Sequence, residues 1–127
     1  MKAEDVDALE KNGISDDFTL SFADEVGFRV GTSRPYRFIN PKTGRLTNVI
    51  IHPLQIMECT LDDYMKLEYE DAIKVTEQII EQTDEYNGEL CLLWHNTSFS
   101  KELCSYRRNL YDVVISYIIE KMRLHEN

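Results

Sequence analysis

The sequence predicts an α/β domain, and three observations in its second half predict it. Residues 69–87 and 101–124 carry apolar side chains at helical spacing. Between these helices, Leu90-Cys91-Leu92-Leu93-Trp94 is apolar without alternation, the pattern of a strand covered on both faces. A further extended stretch precedes the first helix. The resulting strand–helix–strand–helix run implies a parallel crossover. At 127 residues the chain is one domain, long enough to bury a real core.

Taken in order, residues 3–12 form a short helix with Ala3, Val6 and Leu9 on one face and Gly13 as its C′ residue. Residues 18–23 alternate large apolar with small polar side chains, which predicts a strand with one buried face. A turn leads into a second short strand, residues 28–30. That strand lies within Gly27-Phe28-Arg29-Val30-Gly31-Thr32-Ser33-Arg34-Pro35-Tyr36, a stretch that ends by presenting arginine donors. Asn40-Pro41-Lys42-Thr43-Gly44 is a loop by composition. Residues 46–57 are extended around Val49, Ile50 and Ile51, with a break at Pro53. Thr60-Leu61-Asp62-Asp63 has the side chains of a capping box that opens a short helical turn. The helix over 69–87 points Ala72, Ile73, Thr76, Ile79, Ile80 and Thr83 inward, and the last helix carries its apolar stripe from Leu103 to Ile118. The order is α-β-β-β-α-β-α.

A formal net charge of −9 argues against general binding to nucleic acid or to an anionic membrane. No apolar run reaches membrane-spanning length, and the opening Met1-Lys2-Ala3-Glu4-Asp5 is too acidic for a signal peptide. Three widely spaced cysteines, Cys59, Cys91 and Cys104, fit a reduced cytoplasmic protein better than a disulfide scaffold. The charge is unevenly distributed: residues 29–57 carry Arg29, Arg34, Arg37, Lys42 and Arg45 with no acid, between two acidic flanks. Two readings stand for these cations. Either they pair with the flanks, or they form a local anion or polyol site.

His95 is the strongest candidate for chemistry. It follows a buried strand, where α/β sheets place catalytic groups, with Asn96 beside it and Trp94 before it. An imidazole there suits general acid or base work, and the alternative is a histidine bonded to a neighbouring carbonyl. His52, before Pro53, reads as structural and His125 as frayed. Asp16 and Asp17 either cap turns or orient an arginine or histidine. No short-spaced His, Cys and Asp cluster has metal-ligand spacing, and the glycines of residues 27–31 are not a phosphate loop.

Six motifs occur in order along residues 13–111: Gly13-Ile14 with Asp17-Phe18-Thr19-Leu20; Phe22-Ala23-Asp24; the Gly27 to Pro35 stretch; His52-Pro53-Leu54; Met57-Glu58-Cys59-Thr60-Leu61; and Leu92-Leu93-Trp94-His95-Asn96. Together they resemble a branch of the bacterial polysaccharide deacetylase-like proteins of the NodB homology type. The resemblance implies a partial, distorted (β/α) barrel of about four strands with two long helices, the C-terminal half of the family's catalytic domain. The family removes acyl groups from amino sugars with a divalent metal, held by an aspartate and two histidines of the first half. This chain resembles only the second half, so no metal ligands are carried over. His95 matches the late-motif histidine that acts as general acid, and Asp17 resembles the late acidic position that orients a catalytic partner. Arg29 and Arg34 match the Gly-Phe-Arg…Arg-Pro stretch, structural or substrate-facing, and Asn96 joins them as a substrate-binding candidate. Ser21 stands where the branch usually has glycine, and Glu58 where aspartate is common.

Half a barrel leaves open strand edges and an uncovered apolar sheet face, both of which favour association. The expectation is therefore a homo-oligomer, or a chain that completes a barrel with a separately encoded N-terminal half. Three functional readings follow: a deacetylase-like fragment without activity alone, a non-catalytic homodimeric module holding a sugar or anion, and a functionless remnant. Neither nucleic acid nor membrane is an expected partner, and a carbohydrate is the expected ligand.

Overall fold

The computed structural model describes residues 3–22, 25–29, 31–99 and 105–126. Helix α1 (Ala3–Lys11) leads to the two-residue strand β1 (Asp16–Asp17). A hairpin follows, β2 (Tyr36–Ile39) and β3 (Leu46–Ile51), then β4 (Ile56–Met57) and a π-helical turn over Thr60–Tyr64. Helix α2 (Tyr69–Glu85), strand β5 (Leu92–Leu93), a 3₁₀ turn (Asn96–Phe99) and helix α3 (Ser105–Glu126) complete the order. The architecture is mixed α/β with two long helices, and the described strands close no barrel. They form two small sheets, one ordered β1-β3-β2 and the other β4-β5.

In the first sheet β3 is central, parallel to β1 and antiparallel to β2. Its residues alternate strictly, with Thr47, Val49 and Ile51 buried and Leu46, Asn48 and Ile50 exposed. Helix α1 covers the buried face, where Val6 packs with Val49 and Ile51 and with the flanking Leu9, Leu20, Tyr36 and Phe38. Gly13, at φ 76°, ends that helix as expected. The hairpin loop closes through Asn40, which bonds Arg45 O through its N–H and takes the Gly44 N–H on its carbonyl. Lys42 and Arg45 then reach back to Glu4 and Glu10 of α1, so these two cations pair with the acidic flank.

Pro53 breaks the extended run where the sequence places the break, and there the chain crosses from one sheet to the other. Strand β4 pairs in parallel with β5 across α2, which bears out the expected crossover. Ala72, Thr76, Ile79, Ile80 and Thr83 are the buried stripe of α2. That stripe meets Leu110 and Val114 of α3, together with Ile56 and Leu61, in the larger core.

Several local expectations are corrected. Residues 18–22 are not a strand: Phe18 is 50% exposed, and the segment runs beside residues 52–54 with isolated bonds, such as Leu54 N–H to Leu20 O. Phe28 and Arg29 belong to a turn closed by the Gly31 N–H on Phe28 O, with Gly31 at φ 73°, and Tyr36–Ile39 supplies the strand instead. Val30, Ala23 and Asp24 lie outside the described residues, as do Leu103 and Cys104. The apolar run 90–94 contributes only two strand residues, and Leu93 is 40% exposed. Leu92 packs on the larger core while Leu93 points to the opposite, open face, so the run has one covered face rather than two. The helical turn after β4 is present with Cys59, not Thr60, at its N-cap position and no side-chain cap bond from Cys59, and Asp62 and Asp63 turn to Arg107.

Candidate functional site

Parallel pairing of β4 with β5 sets Met57 beside Leu93, so the residues just past each strand emerge together. Those residues include Glu58 and His95, at the carboxyl ends where α/β sheets concentrate their polar groups. The Glu58 side chain is fully buried, yet its Oε1 accepts three hydrogen bonds: from the His95 backbone N–H at 2.6 Å, His95 Nδ1 at 2.7 Å and Ser98 Oγ at 2.7 Å. The 3₁₀ turn delivers Ser98, with its N–H bonded to His95 O.

Burial alone would raise the Glu58 pKa. The three donors outweigh it and hold the carboxyl below its ordinary range. With Nδ1 donating to that carboxylate, the lone pair of the neutral ring lies on Nε2. The His95 side chain is 47% exposed, so a buried acceptor anchors one side of an accessible imidazole. This geometry can pass a proton between Nε2 and a group outside.

Arg107 of α3 fixes the surroundings. Its Nε and Nη2 each lie 2.8 Å from an Asp62 oxygen, a two-pronged pairing, and Nη2 also reaches Asp63. Its carbonyl accepts the Trp94 indole N–H at 3.0 Å, which ties the residue before His95 to α3.

Among the described residues, Glu58, Cys59 and His95 are the one set whose donor atoms converge, all within 4.8 Å of one another. Burial, with the Glu58 charge, pushes the Cys59 thiol pKa up. Glu58 Oε1 is already occupied by three donors, while Oε2 is buried without a hydrogen-bond partner.

The remaining candidates lie apart from His95, except for Asn96, which follows it at the exposed start of the 3₁₀ turn. Asp17 does not orient His95. Its Oδ1 accepts from the Thr19 N–H at 2.9 Å and from Thr19 Oγ1 at 2.7 Å, a local turn in the other sheet. Arg29 donates to Ser21 O at 2.7 Å and shares a cleft with Asp17 and Leu20 against α1. Arg34 donates through Nε and Nη2 to Tyr86 O and so caps the end of α2. It lines a cleft of about 590 Å³ with Phe28, Thr32, Gln82 and Glu85.

The residue that sequence reasoning missed is Glu58, the true partner of His95. Its signal was a carboxylate one step past a buried strand, in a motif position where aspartate is common. His125, expected to fray, bonds Asp84 at 2.8 Å. No family model, curated protein or solved structure matches the chain.

Proposed function

We propose that this chain is the C-terminal part of a polysaccharide deacetylase-like protein, in which His95 transfers a proton to or from a bound amino sugar. The observation that carries the reading is the buried Glu58 carboxylate bonded to both the backbone and the ring of a half-exposed histidine. A carboxylate on Nδ1 fixes the tautomer and stabilises the imidazolium, so Nε2 can protonate the amine leaving a cleaved amide. The six motifs in order supply the substrate class.

The remaining catalytic groups come from a companion segment, either a separately encoded N-terminal half or a second copy, and the chain alone is inactive. The exposed Ile39, Leu46 and Ile50 on the outer face of the first sheet are the apolar surface such a companion would cover.

Titrating labelled protein with chitin oligosaccharides tests the reading. A saturable shift of the His95 Nε2 resonance, abolished in Glu58→Ala, supports it. An unmoved His95 at saturating sugar sinks it, and deacetylation by the isolated chain sinks the claim of a missing companion.

A second reading is a non-catalytic structural or binding module. It is favoured by the arginines, because Arg29 and Arg34 each spend donors on backbone carbonyls. Sugar binding that leaves His95 unmoved but shifts the residues lining the Arg34 cleft would select it.

A further inference from the structure

His52 sits at the junction of the two sheets, just after β3 and before the Pro53 break. Its side chain is 14% exposed, and both ring nitrogens face carboxylates. Nε2 lies 2.7 Å from Asp16 Oδ1 on β1, and Nδ1 lies 2.9 Å from Glu89 Oε1, on the segment that enters β5. Phe18 stacks on the ring, with centroids 4.2 Å apart and planes 10° from parallel.

A neutral imidazole has one N–H and one lone pair, so it can bond only one of two carboxylates and must repel the other. The imidazolium satisfies both, and its charge suits the aromatic face above it. We infer that His52 is a proton-operated staple: charged, it ties β1 and the Phe18 segment to the entry of β5, and on losing its proton it releases one of them.

The neighbouring groups reinforce the charged form. Asp16 also accepts from Ser15 Oγ at 2.7 Å, and the Cys91 thiol points to Glu89 Oε1 at 3.4 Å. Burial first, then Glu89, pushes Cys91 up to about 12, so it stays a thiol throughout the titration of His52. No cation faces the ring among the contacts of the described residues. Burial works against a charged His52, but the bonds to Asp16 and Glu89 outweigh it and raise the pKa above 6.5. The staple is therefore complete below the unfolded-state value and is lost as pH rises through the folded one.

Backbone bonds make the release local. His52 N–H still holds Asp17 O, and Gln55 N–H still holds Cys91 O, on either side of the ring. Deprotonation thus loosens the Phe18 flap or the Glu89 arm while the sheets themselves remain.

Long-range proton–nitrogen spectra of the full chain, labelled at histidine and recorded from about pH 5 to pH 9, test this. The expected result is a His52 midpoint above the ordinary histidine value, with both ring nitrogens protonated below it. The backbone amides of Phe18 and Leu90 should shift with that same midpoint. Asp16→Asn and Glu89→Gln should each lower it. A midpoint at or below the ordinary value overturns the staple, and so do amides in both arms that ignore the titration. The wild-type titration decides the matter even if a variant fails to fold.

Discussion

One oxygen of Glu58 holds His95 twice, by the backbone N–H at 2.6 Å and by ring Nδ1 at 2.7 Å. Main chain and side chain of the same residue are thereby fixed from inside the protein, and the free edge of the ring is left outward. Such an arrangement costs burial of a charge, which only several good donors can offset.

Replacing Glu58 by glutamine keeps the shape and removes the charge. Hydrogen bonds to charged groups are worth about 1.5–3 kcal/mol each, and we expect Glu58→Gln to lose stability of about that order, measured by urea unfolding near neutral pH. Because the folded pKa lies below the unfolded one, the contribution is present above the unfolded carboxyl value of about 4.3. It should vanish as pH falls through the folded value. A wild-type advantage that survives undiminished in strong acid would contradict this assignment.

Arg107 is 14% exposed and grips Asp62 with two prongs. Lysine cannot reproduce that fork. Arg107→Lys should cost about 2 kcal/mol and broaden the Trp94 indole resonance, since the carbonyl that accepts it sits on the same residue. An unchanged unfolding midpoint would show that the pairing is replaceable.

Gly88 is required by close approach. A Cβ there would lie 1.6 Å from Ser33 Oγ and 2.8 Å from Ser33 Cβ, on the loop whose carbonyl accepts the Glu89 N–H. Overpacking of this kind costs about 1–3 kcal/mol, so Gly88→Ala should destabilise by that amount, and Ser33→Gly should restore part of it in the double variant. If calorimetry finds the two changes additive, the contact does not limit packing here.

The cations of the β2–β3 hairpin behave differently. Lys42 and Glu4 are both well exposed, and pairs open to solvent contribute little to stability. Lys42→Ala should therefore move the melting temperature little, and less still in high salt, where screening has already removed the attraction. A large, salt-insensitive loss would mean that the loop itself depends on this side chain.

Local pattern alone determined the long elements: α2 and α3, an extended stretch over β3, the break at Pro53 and the parallel crossover that brings β4 to β5. Those features follow from local spacing and backbone chemistry, which a linear chain displays directly. The strict alternation of β3, which puts Ile50 of the apolar run Val49-Ile50-Ile51 on the exposed face, came only with the fold. Tertiary structure decided everything that depends on which segments meet. His95 is legible as a residue past an apolar strand, but its partner Glu58 is not, because a parallel ladder joins positions 37 residues apart that share no local pattern. The same holds for His52, which looks like an ordinary pre-proline residue until Asp16 and Glu89 arrive on opposite sides of its ring. Phe18, read as a core residue, proves to be its lid. A side chain's spacing fixes the face it occupies, whereas its charge state and its chemistry depend on neighbours that only folding brings within bonding distance.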